Sequence, residues 1–466
     1  MKKAFLTIII WLIGILSVMA VNPRDMKFGP LQFKPSEPVR FVADNGMVVY
    51  FLEDHQLPVV SAAFYFKGGD IYDSPEKSGL AELTANLMRT GGAGDRTPDQ
   101  VDQDLDFVAA NISFNSGNEV LIVNMNCLRK DIHPVFGILA DILIRPMFDS
   151  AKFSLEVSNK KDEILRQNDD PGQITRRVYY ETVYKGHPYG RGPTLASMGL
   201  ITRDDVIPQH RMYYTPDNSI VAITGDMTLD EVKALIGKYL KEWAKGTGRP
   251  APPEMAVMKY TPGVYYAERD MNQAHIRIGH LGLDDKNPDR YAMDIMNFAL
   301  GGGGFSSRMT GLIRTTAGLA YSVGTYSYNR PYGGTFFAYC QTRADATGQA
   351  LKMMLDIIRQ VKNEGITADE MNLARESIIN SFVFGYDTPA KIVSDKAYKE
   401  LMGFPSDQME KDLAAYHAVT LEDCNRVARE YLKPDSMVII ITGNKEMFDQ
   451  PLEAFGPVTD VSLEIK

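Results

Sequence analysis

Apolar positions alternate, fall into helical spacing, and alternate again along the first half of the chain. Phe41 to Phe66 reads as strand, turn, strand, with Asn45-Gly46 as a hairpin signal ahead of the apolar runs Met47–Phe51 and Val59–Phe66. Helical spacing follows over Gly79–Thr90, closed by Gly91-Gly92. A second helical stretch lies near Pro98–Ala109, alternating strands at Ile112–Cys127, and a helix at Ile132–Ile144. A long helix is expected from near Ser150 to about Gln167. Asp169-Asp170-Pro171 interrupts it, and helical pattern resumes around Ile174–Tyr184.

The second half repeats this order. A strand at His275–Leu281 leads to a helix at Asp289–Leu300, a glycine turn and a short helix at Ser306–Thr316. Strands at Leu319–Tyr328 and Gly334–Thr342 and a helix at Thr347–Glu364 complete the repeat. Each half closes on an apolar strand ending at glycine, Val221–Gly225 and Val438–Gly443. The segment Gly246–Pro253, rich in proline and glycine, is the natural linker. Order of elements rather than identity carries the duplication. The expected class is α+β, with layered halves at residues 26–245 and 256–466 joined by a linker at 246–255.

The first 20 residues read separately. Lys2 and Lys3 precede an apolar run from Ala4 to about Val21, and Val18 and Ala20 give a small-residue cleavage pattern. A signal peptide over residues 1–20 is expected, and with it export, to the periplasm of a bacterium. The run is also near the lower limit for spanning a bilayer, so an uncleaved anchor holding the protein at the membrane, facing the periplasm, is the alternative. The whole chain, at 466 residues, 44% hydrophobic and 23% charged, has the composition of a folded globular protein. A net charge of −9 offers no basic field for nucleic acid. Three cysteines, Cys127, Cys340 and Cys424, make no disulfide framework; the first two lie in strand-like apolar runs, as buried thiols do, and one pairing is left open.

Candidate chemistry concentrates in two segments. The first is Ser78-Gly-Leu-Ala-Glu-Leu-Thr-Ala-Asn-Leu-Met-Arg-Thr-Gly-Gly92, where Leu80, Leu83 and Leu87 form an apolar stripe with Glu82 and Asn86 on a neighbouring face. It resembles the first active-site helix of the pitrilysin/insulinase-like (M16) zinc peptidases, which carry H-x-x-E-H there. Two His one turn apart share the zinc ion, and the Glu between them activates water. Here Glu82, Ala85 and Asn86 stand in the three positions. The resemblance also aligns Glu156 and Glu163, seven residues apart, with the acidic ligand and its supporting acid on a later helix. Catalytic zinc wants three protein ligands and a water, and a set without imidazole or thiolate is a poor one. Oxygen donors suit Mg²⁺ or Ca²⁺ better, but solvated acids on helix faces are the plainer reading. No histidine among His55, His133, His187, His210, His275, His280 and His417 begins an H-x-x-E-H or H-E-x-x-H motif. His275 and His280, five apart in a strand, point to opposite faces, and His187 in Gly-His-Pro-Tyr-Gly reads as a structural loop residue.

The second segment is Gly301-Gly-Gly-Gly-Phe-Ser-Ser-Arg-Met-Thr-Gly-Leu-Ile-Arg-Thr-Thr-Ala-Gly-Leu-Ala-Tyr-Ser-Val323. No Gly-Lys-Ser/Thr follows the glycines, which excludes a P-loop. The stretch resembles the C-terminal signature of the same family, in which an Arg and a Tyr seven positions later face the scissile peptide. Arg314 and Tyr321 match that pair. An Arg can hold a carbonyl or carboxylate in fork geometry, and a Tyr hydroxyl can donate to a developing oxyanion.

The resemblance covers about residues 30 to 460, helped by Tyr214-Thr-Pro-Asp-Asn-Ser219, and implies the two-halved fold of the mitochondrial-processing-peptidase type, facing a partner across a chamber. It implies a division of labour. A partner chain with H-x-x-E-H supplies the zinc, and this chain, with no metal of its own, supplies Arg314 and Tyr321 for endoproteolysis of peptides or unfolded segments. An inert scaffold or peptide-binding subunit is the alternative, and an autonomous peptidase with unusual ligands the third reading.

Overall fold

In the computed structural model, residues 33–255 and 257–465 are described; the expected signal segment at 1–20 lies outside them. The chain falls into two units, residues 1–35 and 36–466, and every element named below belongs to the second. Among the described residues no helix is long and apolar enough to cross a membrane.

The first half carries β1 (Val39–Val42), β2 (Val48–Glu53), β3 (Val59–Lys67), α1 (Leu80–Thr90), α2 (Pro98–Phe107), β4 (Asn111–Ser116), β5 (Val120–Leu128), α3 (Ile132–Ile144), α4 (Ser150–Leu165), α5 (Pro171–Val183), α6 (Leu195–Leu200), α7 (Arg203–Tyr213), β6 (Ser219–Gly225) and α8 (Leu229–Tyr239). The second half carries β7 (Gly263–Glu268), β8 (Gln273–Leu281), α9 (Arg290–Asn297), β9 (Ala320–Tyr328), β10 (Thr335–Arg343), α10 (Thr347–Glu364), α11 (Ala368–Phe382), α12 (Pro389–Leu401), α13 (Gln408–Ala418), α14 (Leu421–Tyr431), β11 (Val438–Gly443) and β12 (Val458–Asp460). Two six-stranded sheets result, ordered β1-β2-β6-β3-β5-β4 and β12-β7-β11-β8-β10-β9. The plan is the same in both: β2 pairs parallel with β6 as β7 does with β11, and β3 pairs antiparallel with β5 and β6 as β8 does with β10 and β11. This α+β architecture of two related halves is the one expected from the sequence.

Strand alternation decides what each face of a sheet meets. In the first sheet Val49, Phe51, Val60, Ala62, Phe64, Leu121, Val123, Val221 and Ile223 join one core with α1, α3 and α8. Their neighbours Tyr50, Tyr65, Val120, Ile220 and Ala222 point the other way and pack with Val393, Ala397 and Leu401 of α12, a helix of the second half. The reciprocal exchange covers the second sheet: Ile174, Val178, Tyr179 and Val183 of α5 pack with Ala267, Phe337, Val438 and Ile440. Both exchanged helices begin alike, Asp170 and Thr388 each capping a first turn that opens on proline. Each buried Val, Leu or Ile contributes roughly 1.5–3 kcal/mol. This covering explains why β6 and β11 are buried at every position and read as unbroken apolar runs.

Polar contacts fix the exchange. Arg40 of β1 donates twice to the Glu400 carboxylate of α12, both at 2.8 Å, and the Tyr50 hydroxyl donates to it at 2.6 Å. On the other side the Tyr179 hydroxyl meets Thr335 at 2.6 Å, and the Thr175 hydroxyl donates to Thr442 at 2.8 Å. The packing units therefore do not coincide with the sequence halves. All three cysteines are free thiols and buried.

Candidate functional site

The two candidate segments occupy equivalent places. α1 and α2 lie between β3 and β4, and α9 with the glycine motif lies between β8 and β9; β4 and β9 are matching sheet edges.

In the first half α1 is held at both ends. Asp73 is buried and accepts from the amides of Gly79, at 2.9 Å, and Ala81, at 3.1 Å, which caps the helix start. Burial pushes the Asp73 carboxyl up to about 7, with those two amide bonds pulling the other way. Gly92, at φ +79°, turns the chain away beyond the helix. α1 buries Ala81, Leu83, Thr84, Ala85, Leu87 and Met88, and leaves Glu82 and Asn86 half-buried towards α4. Leu83 of α1 and Ile164 of α4 share a small apolar cluster along the seam of the two helices.

Across that seam Lys160 stands between two of the predicted positions. Its ammonium donates to Glu82 Oε1 at 2.9 Å and lies 2.8 Å from Glu82 Oε2, and it donates to Glu163 Oε2 at 2.9 Å. Its side chain is only 14% exposed. Burial works against the ammonium, yet Glu82 and then Glu163 hold its pKa above the ordinary lysine value. Glu156 accepts from the Thr90 hydroxyl at 3.0 Å. Asp70, near the same seam, is pushed up to about 6 by burial, offset by a hydrogen bond from Ser116 and reinforced by the Glu82 charge. Glu163 is an exposed acid on its helix face, as expected, and in addition shares a lysine with Glu82, while Glu156 is hydrogen-bonded.

These residues do not fit a zinc ion. Ala85 is fully buried and offers a methyl group where a general base would stand. Asn86 is neutral, and an ammonium already holds the carboxylates of Glu82 and Glu163. Among the described residues no group of three or more His, Cys, Asp or Glu is placed to hold a metal ion.

In the second half α9 ends in a π-turn, Phe298–Gly302, and a second π-turn spans Thr310–Thr316. The sequence predicts helix to Leu300, a glycine turn and a short helix over Ser306–Thr316; widened turns of this kind recur at functional positions. Gly301 is required here, because a Cβ would lie 2.6 Å from the Thr325 hydroxyl of β9. Two arginines of the motif take opposite roles. Arg308 donates to both Glu370 oxygens at 2.6 Å and to the Gly365 carbonyl at 3.2 Å, which anchors the turn to α11. Arg314 has no ion pair among the described residues; its guanidinium lies 4.6 Å from the Phe305 ring centre and 4.5 Å from that of Tyr321. β9 carries a bulge at this point: Ala320 faces Thr342 and Ser322 faces Gln341, so Tyr321 has no partner on β10. Its side chain is thrown outward and is 81% exposed, beside Phe305 at 71%.

Both segments lie inside stretches that match known families. Residues 48–195 match the family model for insulinase (peptidase family M16), and residues 200–378 match the model for the peptidase M16 inactive domain. The chain belongs to peptidase family M16. A Bacillus subtilis (strain 168) protein named uncharacterized zinc protease YmxG is 23% identical over 416 residues, 88% of this chain and 99% of that protein. The uncharacterized zinc protease SCO5738 of Streptomyces coelicolor is 26% identical over 379 residues, 79% of this chain and 82% of the other. Among solved structures, a peptidase M16 inactive domain from Pseudomonas fluorescens superposes with a TM-score of 0.79 at 22% identity, covering 88% of this chain and 98% of that one. A protease from Helicobacter pylori gives 0.77 at 17%, covering 88% and 100%. Both share the M16 fold of this chain.

Sequence reasoning within the M16 frame located Glu82, Ala85, Asn86, Glu156, Glu163, Arg314 and Tyr321 but missed Lys160, Phe305 and the anchoring role of Arg308. The Lys160–Glu163 spacing of one helical turn was the available signal for the first of these. His187 is buried in the first half, its Nδ1 accepting from the Tyr189 amide at 3.1 Å, as a loop-ordering residue does.

Proposed function

We propose that this chain is the M16 subunit that supplies Arg314 and Tyr321 to a peptidase whose metal centre sits on a partner chain carrying H-x-x-E-H. The observation that carries the reading is the exposed group Phe305, Arg314 and Tyr321, in which Arg314 has no ion pair among the described residues, raised on a π-turn and a β-bulge. A protein spends exposed aromatic surface and a bulged strand sparingly, and does so at binding and catalytic positions. The guanidinium lies close to both rings, and its fork can hold a peptide carbonyl or carboxylate. The Tyr321 hydroxyl, free of strand pairing, is a donor for a developing oxyanion. The names of the M16 relatives support peptide hydrolysis as the chemistry of the complex. The substrate class is peptides or unfolded polypeptide segments, and the N-terminal run supports export, with the bacterial periplasm as the working compartment.

The test is reconstitution. This chain and an H-x-x-E-H M16 chain from the same cell are expressed apart and together, and cleavage of a quenched peptide library is followed. Turnover by the mixture well above the sum of the two chains alone is expected. A mixture no faster than the H-x-x-E-H chain alone rejects the division of labour and leaves the scaffold reading.

A further inference from the structure

We propose that Lys160 is a resident cation: it joins α1 to α4 through Glu82 and Glu163 as a metal ion would, and its presence closes this position to divalent ions. Three observations carry this. The first is stoichiometric. The ammonium donates to two carboxylates, Glu82 Oε1 and Glu163 Oε2, both at 2.9 Å, and Glu82 Oε2 lies 2.8 Å from the nitrogen, so each carboxylate is paired with the one cation. The second is placement. Glu82 lies on α1 and Lys160 and Glu163 on α4, so the pair Glu82–Lys160 crosses between elements 78 residues apart, while Glu163 reinforces it from one turn along the same helix. The third is burial. Lys160 is 14% exposed, Glu82 36% and Glu163 69%, so the cation is the most enclosed member and the carboxylates face it from the more open side.

A cation in a partly dry seam between two carboxylates has the same electrostatic work to do whether it is a metal or an ammonium: it cancels their repulsion and fixes their side chains. The lysine is covalently attached, so it is present at unit occupancy at any metal concentration. A divalent ion entering from solvent would have to expel it, breaking its two charge-assisted hydrogen bonds. The first helix of this half thus keeps its geometry with nothing bound, independently of what Arg314 and Tyr321 do.

The test uses thermal unfolding of the full chain, with Lys160→Met, Lys160→Arg and the double variant Lys160→Met/Glu82→Gln, each in Ca²⁺, in Mg²⁺, in Zn²⁺ and in NaCl of matched ionic strength. Wild type is expected to show no shift with any divalent ion beyond the NaCl control. Lys160→Met is expected to lose about 2–4 °C, and Ca²⁺ or Mg²⁺ is expected to restore at least half of it, because Glu82 and Glu163 then converge on an empty position. The double variant, with one carboxylate removed, is expected to lose that rescue. Lys160→Arg keeps the charge and is expected to stay within about 1 °C of wild type, an arm that stands even if Lys160→Met does not fold. A Lys160→Met transition equal to wild type, a loss that neither Ca²⁺ nor Mg²⁺ repairs, a Lys160→Arg loss well beyond 1 °C, or a divalent-ion shift in wild type that Glu82→Gln abolishes would each overturn the proposal.

Discussion

The two halves share one plan and differ most where they are equivalent. Between β3 and β4 the first half places regular helices, a buried alanine at position 85, and Glu82 paired with Lys160 of α4. Between β8 and β9 the second half places two π-turns and an arginine 4.6 and 4.5 Å from the centres of two exposed rings and, among the described residues, in no ion pair, and β9 opens on a bulge. One location satisfies its own charges; the other leaves them facing out. Irregular backbone and unsatisfied groups are costs that a merely structural region has no reason to carry. Under the proposed function, this difference is what assigns the working chemistry of this M16 chain to its second half.

The largest effect that could break this contrast lies in activity. In the reconstituted complex, Arg314→Ala and Tyr321→Phe should each lower turnover by roughly 10²-fold, near the loss seen when one oxyanion donor is removed. Zinc content and the thermal transition should stay at the wild-type level, because both side chains are surface groups. Glu82→Gln and Asn86→Ala, on the quiet side, should leave turnover within about twofold, since neither group takes part in the proposed chemistry. Equal losses on both sides would erase the distinction.

Stability offers the next test, since the contrast rests on a shared scaffold. Leu401→Ala opens a cavity where α12 covers the first sheet and should cost about 2–4 kcal/mol in urea unfolding. A single cooperative transition is expected for that variant, because each half covers the other's sheet.

Arg308→Ala separates anchor from tool within one motif. Its bidentate pair with Glu370 is partly buried, and its loss should cost about 1–2 kcal/mol. Turnover should fall as well, through a loosened π-turn, whereas Arg314→Ala should leave stability untouched. Reversed outcomes would exchange the two roles.

The smallest expected effect is a pH dependence confined to the first half. The Asp73 carboxyl is raised by burial from an unfolded value near 3.9 to about 7 in the folded chain. Its protonated form therefore stabilises fully below the unfolded value, and that contribution is lost as pH rises through the folded one. Asp73→Asn keeps an acceptor for the helix amides without the charge. Its stability relative to wild type should improve by about 1–2 kcal/mol between pH 4 and pH 8, read from urea midpoints at the two values.

Much of this was legible in the chain because the evidence is local. The helices Ile132–Ile144 and Thr347–Glu364 and the edge of Gly91-Gly92 follow from apolar spacing and end signals, and the structure places them at those residues. The unbroken apolar runs at β6 and β11 were also visible, but their reason was not. Burial on both faces comes from α12 and α5, which cross to the opposite sheet, and no periodicity within a helix names the sheet it will cover. The repeated opening, a polar cap before proline at Asp170-Pro171 and Thr388-Pro389, was the available hint. Glycines and the Arg314–Tyr321 spacing marked the second site, yet a π-turn differs from an α-turn by one hydrogen-bond step and leaves no residue signature. Lys160 looked like one more charge on a polar helix until α1 was packed against it.

The central claim is that hydrolytic metal chemistry does not belong to this chain, and the most direct measurement is metal content together with peptide cleavage on the single purified polypeptide. Elemental analysis should find zinc far below one ion per chain after dialysis against a zinc-buffered solution, and the same sample should leave a peptide library intact. One tightly held zinc per chain, accompanied by cleavage that a chelator stops and added zinc restores, would contradict it.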